Sequence, residues 1–308
     1  MNYSIKARQM TLWMLAVLVA ACMHSSARAE NWPSWRGDHG NGHSADRGFP
    51  LKWSATEGVK WKTALPGSGN SSPIVWGNRV FVTCASQEGW RRSLLCFHRS
   101  NGRLAWEQHV DVTQVEPTHE TNPFCSSSPV TDGNVVVAWH DGAGLHAYDF
   151  EGTPLWHFDP GLPPHVWGSG ASPLLIGNLV ILNCGATLRP FVVAVNKSTG
   201  EQVWRYEAVD SYSKSKTDFW GSWSTPVAFG DPDNRRIAVH LPQRLEALDV
   251  DSGQRVWTVQ GVGPLAYASP LVGEDLLVVM SGYHGPALAV RPGGKDDVTA
   301  THRLWLDD

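Results

Sequence analysis

Tryptophan returns along this chain at nearly even intervals. Trp61, Trp106, Trp156, Trp204, Trp257 and Trp305 are separated by 45, 50, 48, 53 and 48 residues. Between them sits a second marker, small-small-Pro: Ser71-Ser72-Pro73, Ser127-Ser128-Pro129, Ala171-Ser172-Pro173, Ser224-Thr225-Pro226 and Ala268-Ser269-Pro270. Five units therefore follow one another, each opening at a proline and closing at a tryptophan. A period of about 40–50 residues with several short strands per unit is the sequence signature of propeller blades.

The unit from Pro129 to Trp156 shows why. Proline stands at a strand start, where its missing N–H costs little. Asp132-Gly133-Asn134 can make the positive-φ turn of a hairpin. The β-branched run Val135–Val137 follows, then a turn, a third strand through Leu145–Asp149, a turn at Glu151-Gly152, and a fourth strand carrying Trp156. Four-stranded blades stacked face to face bury both faces of their middle strands, and large flat rings at fixed positions fill the space between them. The 16 tryptophans among 308 residues are thereby mostly structural, Trp106, Trp156, Trp204, Trp257 and Trp305 first among them. The 30 glycines and low charge suit an all-β chain with many turns. The fold class read from this is all-β, a β-propeller of four-stranded blades. About five blades and a closing strand at 51–67 lie in this chain, as part of a ring expected to hold seven or eight.

The pattern A-x-D-x-x-[ST]-G-x-x-x-W is complete in Ala247, Asp249, Ser252, Gly253 and Trp257, and has Asn196 for the aspartate in the copy ending at Trp204. It resembles the repeat of the PQQ-like (pyrroloquinoline-quinone) β-propellers, from about residue 50 to the end. The stretch NWPSWRGDHGNGHS at 31–44 resembles the leader of a BamB-like branch of exported bacterial propeller proteins. The resemblance implies a fold. It implies no single activity, because the same repeat builds both quinone-dependent dehydrogenases and non-catalytic scaffolds.

At the N-terminus, Lys6 and Arg8 precede the apolar run 10–22, too short to span a bilayer comfortably, and Ala27 and Ala29 supply small residues for cleavage. Residues 1–29 read as a signal peptide, 30–50 as a leader and 51–308 as the propeller domain. In a second reading Cys22 is the lipid-bearing first residue of a lipoprotein. Both place the protein outside the cytoplasm, secreted or periplasmic, with no transmembrane segment in the mature chain. Export permits disulfides. Cys84 and Cys96 fall on neighbouring strands, where they either pair across a hairpin or remain free and half-buried.

The net charge of −4 comes without a block of like charges, so nucleic acid is not an expected partner. A quinoprotein dehydrogenase of this family holds its quinone over an adjacent cysteine pair and binds calcium through clustered carboxylates and amides. The chain has neither feature, and no cofactor is expected: PQQ and calcium are unsupported. The segments joining each tryptophan to the next proline vary more than the blades themselves, and all fall on one rim, the usual binding face. Their residues His119, Glu120, Asn122, His165, Trp167, Trp220 and Trp223, with His284, are the candidate ligand- or partner-binding groups. For each, a hydrogen-bonded or capping loop role is the competing account, and no catalytic or metal-ligating residue emerges. The reading is a non-catalytic binding or assembly scaffold of the cell envelope, with an envelope protein or peptide as partner. The alternatives are a quinoprotein dehydrogenase and a glycan-binding propeller.

Overall fold

The computed structural model describes residues 30–215 and 219–307. The signal-peptide and Cys22 expectations lie outside these residues. Among them, five antiparallel blades of four strands follow in chain order, the fourth extended by a fifth, parallel strand. Blade 1 comprises Ile74–Trp76, Arg79–Ser86, Arg91–His98 and Leu104–Asp111. Blade 2 comprises Val130–Thr131, Val136–Trp139, Leu145–Tyr148 and Pro154–Phe158. Blade 3 has Leu174–Ile176, Leu179–Cys184, Phe191–Asn196 and Gln202–Glu207, and blade 4 has Val227–Phe229, Arg236–Leu241, Arg244–Asp249 and Arg255–Gln260. Blade 5 has Leu271–Val272, Leu277–Met280, Ala287–Val290 and Arg303–Asp307.

In blades 1 and 3 the second and third strands are buried on both faces, whereas the fourth strands mix exposed and covered positions. That is the pattern expected where only the outermost strand meets water. Separate apolar clusters join blade 1 to 2, 2 to 3, 3 to 4 and 4 to 5.

Both sequence markers turn out to be blade-to-blade fasteners. From the second small-small-Pro triplet onward, the middle hydroxyl accepts the amide of its counterpart one blade earlier. Ser72 N donates to Ser128 Oγ at 2.9 Å, Ser128 N to Ser172 Oγ at 3.0 Å, Ser172 N to Thr225 Oγ1 at 2.9 Å, and Thr225 N to Ser269 Oγ at 2.8 Å. These four bonds link the residues just ahead of the first strands and tie all five blades together. The residue must be small to line the axis and must carry a hydroxyl to accept.

The tryptophan marker works at the outer edge. The indoles of Trp106, Trp156 and Trp204 donate to Phe150 O, Lys197 O and Val250 O of the next blade's last turn, at 2.9, 2.7 and 2.9 Å. Each ring lies over that turn's glycine, Gly152, Gly200 or Gly253. There φ is +88°, +75° or +69°, and a Cβ would come within 2.8 Å of ring carbons. Asp149, Asn196 and Asp249 brace the same turns by accepting backbone amides. The motif D-x-x-[ST]-G is thus a receptor for the preceding blade's tryptophan. Blade 5 departs from it: residues 291–302 replace the short turn, and Asp296–Asp297 pairs in parallel with the last strand of blade 4.

Two expectations need correction. Residues 51–67 form no strand; the segment instead delivers Trp61 onto Gly102, its indole donating to Arg99 O at 2.8 Å. Trp61 thus fills the place on blade 1's last turn that a preceding blade's closing tryptophan takes on the others. Cys84 and Cys96 are free. Cys84 faces Ser93 and Cys96 faces Phe81, an offset of three residues, so the thiols point to opposite faces of the sheet. Burial pushes Cys84 up to about 11 and Cys96 up to about 12, and raises Cys125 and Cys184 further. These four thiols are therefore expected to resist a thiol reagent in the native protein and to react on denaturation without prior reduction. A reagent count lower by two in denaturant would indicate a disulfide instead.

The N-terminal part divides in two. Glu30 and Ala45–Phe49 form a small unit of their own, in which Glu30 N donates to the Asp46 carboxylate and Ala45 N to Glu30 Oε2. Residues 31–44 belong with the propeller: Trp32 forms an antiparallel bridge with Val75, and Thr131 N donates to Pro33 O. No helix among the described residues is long and apolar enough to cross a membrane.

Candidate functional site

The inter-blade segments gather over the axis and enclose a cavity of about 440 Å³. Its base holds the hydroxyls of Ser126, Ser172, Thr225 and Ser269, supplied by the residues leading into the first strands. Its walls are Trp167, Trp223, Tyr267 and Tyr283, with His119, Thr121 and Asn122 at one side and Trp35 below.

The aromatic wall is continuous. Trp167 lies 5.8 Å from Trp223, Trp223 meets Tyr267 edge-on at 5.1 Å, and Tyr267 meets Tyr283 at 6.2 Å. Phe219 stacks on the far side of Trp167 at 5.2 Å. Beneath the two tryptophans sits His165, edge-on to both. Its Nδ1 accepts the Trp167 amide, and burial holds its pKa below the ordinary histidine value. It is a neutral support, with its ring proton on Nε2.

Local backbone features set these rings. The Trp223 indole donates to Gly168 O at 2.8 Å, and the Asn122 amide donates to Trp167 O and Ser169 O at 2.7 and 2.9 Å. A short parallel ladder, Gly221–Ser222 with Leu265–Ala266, joins the segments carrying Trp223 and Tyr267. Gly282 is indispensable beside it: a Cβ there would lie 1.9 Å from the Tyr267 ring. Rings fixed in this way present π-faces at little entropic cost, with hydroxyl and amide groups between them. Among the described residues, the lining includes no carboxylate, lysine or arginine.

Of the residues singled out from sequence, the structure brings His119, Asn122, Trp167 and Trp223 to one cavity, with His165 directly under it. Glu120 lines a separate shallow depression on the rim. Trp220 is half-buried outside the cavity lining, and His284 is exposed in a loop at positive φ. Trp35, Tyr267 and Tyr283 join the site without a signal in the repeat pattern. Nothing in the leader motif indicates that it reaches the axis, and the two tyrosines stand in short segments that look like ordinary blade connections.

A second cavity, about 770 Å³, lies beside the same loop and is lined by Asp111, Glu116, Asp141, His146, His157, His165 and Ser169 among others. Behind it Arg92, fully buried, pairs with Glu116 Oε1 at 2.8 Å and stacks on Phe124 at 3.8 Å. Asp141 accepts from Ser169, and burial pushes its pKa up to about 6. The neighbouring His140 is pushed down to about 3 by burial, and the Cys125 thiol is raised out of reach of deprotonation. The carboxyl is thus poised near neutrality, but the nearby thiol is not activated as a nucleophile. Among the described residues, no group of three or more His, Cys, Asp or Glu side chains could hold a metal ion.

Two overlapping segments, 89–218 and 186–300, match the family model for outer membrane protein assembly factor BamB and together span more than half of the chain. No curated protein matches the chain at a significant level. Among solved structures, BamB from Moraxella catarrhalis is 16% identical with a TM-score of 0.55, covering 79% of this chain and 63% of that one. The quinohemoprotein alcohol dehydrogenase of Comamonas testosteroni is 13% identical with a TM-score of 0.63, covering 93% and 50%. A second such enzyme, from Pseudomonas putida, is 16% identical with a TM-score of 0.57, covering 90% and 48%. The chain thus spans less than two thirds of each of these structures, and identities this low show a shared fold alone.

Proposed function

Since this chain belongs to the BamB-like family of PQQ-type β-propellers, we propose that it is an exported binding scaffold of the cell envelope whose central aromatic cavity captures a segment of a partner protein. The observation that carries this reading is the cavity itself. Four aromatic walls, a base of hydroxyls and a side-chain amide make a site for a neutral, ring-bearing or apolar group rather than for an ion. Pockets of this size and character bind by burying apolar surface and orient the ligand with a few polar groups.

The same lining does not fit a calcium-held quinone. Among the described residues it offers no carboxylate to ligate a hard cation and no guanidinium or ammonium to meet the quinone's own carboxylates.

The test is calorimetric titration of the mature chain with short, end-blocked neutral peptides carrying Trp, Tyr or Phe, against the same peptides with alanine. Aromatic peptides are expected to bind. Trp223→Ala is expected to weaken that binding about tenfold or more, as for a central aromatic contact. Binding of neutral oligosaccharides but of no peptide would replace the peptide reading with the glycan one. Stoichiometric quinone binding with alcohol oxidation would overturn both.

A further inference from the structure

The leader does something the repeat pattern does not require. Beginning at blade 1, Asn31 Oδ1 accepts the Gly77 amide at 2.8 Å, and Trp32 exchanges two backbone bonds with Val75 at 2.7 and 2.8 Å. It passes blade 2, where Pro33 O accepts from Thr131 N. With Ser34, Trp35 and Asp38–Asn41 it then lines a cavity of about 340 Å³ against Pro173–Leu174 of blade 3 and Thr225–Gly230 of blade 4. The segment therefore crosses from one side of the blade array to the other, at the end of the axis away from Trp167 and Trp223.

Trp35 sits where this crossing meets the axis. Among the described residues, only Trp35 and Thr225 border both the 340 Å³ cavity and the aromatic one. The Arg36 guanidinium lies over the Trp35 ring at 4.2 Å. Thr225 belongs to the hydroxyl series just ahead of the first strands and is itself buried. One indole and one threonine thus stand at the junction of the two cavities.

We infer that residues 31–42 are an axial strap and that Trp35 is the floor of the aromatic cavity, closing the far end so that the site is a blind pocket entered from the Trp223 side. The consequence for the ligand rests on the peptide-binding reading above: a blind pocket takes a side chain or chain end, whereas an open axis would let a segment thread through. The wall itself does not depend on that reading, and neither does its test.

Thr225→Cys places a thiol at the junction, similar in size to the residue it replaces, among native cysteines that burial keeps unreactive. The rate of its modification by a small methanethiosulfonate reagent reads access to the junction. With Trp35 in place the reaction is expected to be slow, and adding Trp35→Ala should speed it by about tenfold or more, because no local opening is then needed. Trp35→Phe should keep it slow. A thiol at the mouth, Tyr283→Cys, should be modified at a rate that Trp35→Ala leaves unchanged. If Trp35→Ala loses its cooperative melt, Trp35→Leu decides, with an intermediate rate expected. Equal rates at position 225 with Trp, Leu and Phe at position 35 would overturn the strap as a floor, as would acceleration equally large at Tyr283→Cys. Failure of every peptide to bind, with the labelling pattern intact, would count against the proposed function alone.

Discussion

Replacing Trp204 with alanine is expected to lower the unfolding free energy by about 3–5 kcal/mol, and replacing Gly253 with alanine by roughly 2–4 kcal/mol. The two losses should not add. Trp204 is 8% exposed, packs in the cluster between blades 3 and 4, and donates its indole proton to Val250 O. Gly253 lies under that ring with φ of +69°, and an added Cβ would stand 2.5 Å from ring carbons. Its substitution therefore carries two costs, left-handed strain at residue 253 and a clash with residue 204. Removing the ring first abolishes the clash and leaves the strain. In urea unfolding of the two single variants and the double variant, a coupling of about 1–3 kcal/mol is expected. Strict additivity would mean that the glycine serves its own turn and nothing else, and the account of the motif as a receptor for the neighbouring blade would fail.

That coupling explains why so much of the architecture is legible in the sequence. Tryptophan, glycine and the small-small-Pro triplet recur because each makes a contact to the next blade, and a contact repeated every turn of the fold leaves a periodic trace in sequence. Strand order within each blade follows from the same trace. Contacts made once leave none. Trp35 reaches the axis from a leader more than 90 residues before Ser126. Tyr283 enters the cavity from a turn inside blade 5, not from an inter-blade segment. Arg92, Glu116 and Asp141 come together from the third strand of blade 1, the following loop and a turn of blade 2. The cysteine pair misleads for a related reason. The two strands are indeed neighbours, but side-chain direction depends on register to the single residue, and the offset of three places Cys84 and Cys96 back to back. Likewise 51–67 looks like a last strand because Trp61 meets blade 1's turn as a last-strand tryptophan does, although its backbone makes no ladder.

Acidification from pH 7 to pH 4.5 is expected to lower stability by about 2–3 kcal/mol net, with two buried histidines as the main cause. His140 and His240 are each completely buried, and burial pushes their pKa values down to about 3 and about 4. The His240 Nδ1–H donates to Ala268 O, while Nε2 of both rings faces no acceptor. A second proton would therefore enter a site that cannot solvate it. In the unfolded chain the same rings titrate near 6.5. Their contribution is fully present above that value and is lost as pH falls through the window from about 6.5 toward 3–4. Asp141 works in the opposite sense: with its folded pKa raised to about 6, it regains stability as pH falls from 6 to its unfolded value of 3.8. Glu246, also raised by burial, acts in the same direction. Asp132 and Asp249, whose pKa values are lowered, lose their contributions only below about pH 4. Over the interval from about pH 6.5 to 4.5 the two histidines therefore act against the raised carboxyls, while the lowered carboxylates have yet to titrate. In His240→Gln the side chain can still donate to Ala268 O and stays neutral throughout, so the drop in urea midpoint across that interval should shrink markedly. An unchanged drop would place the acid sensitivity elsewhere and leave the buried imidazole at blade 4 without a role in it.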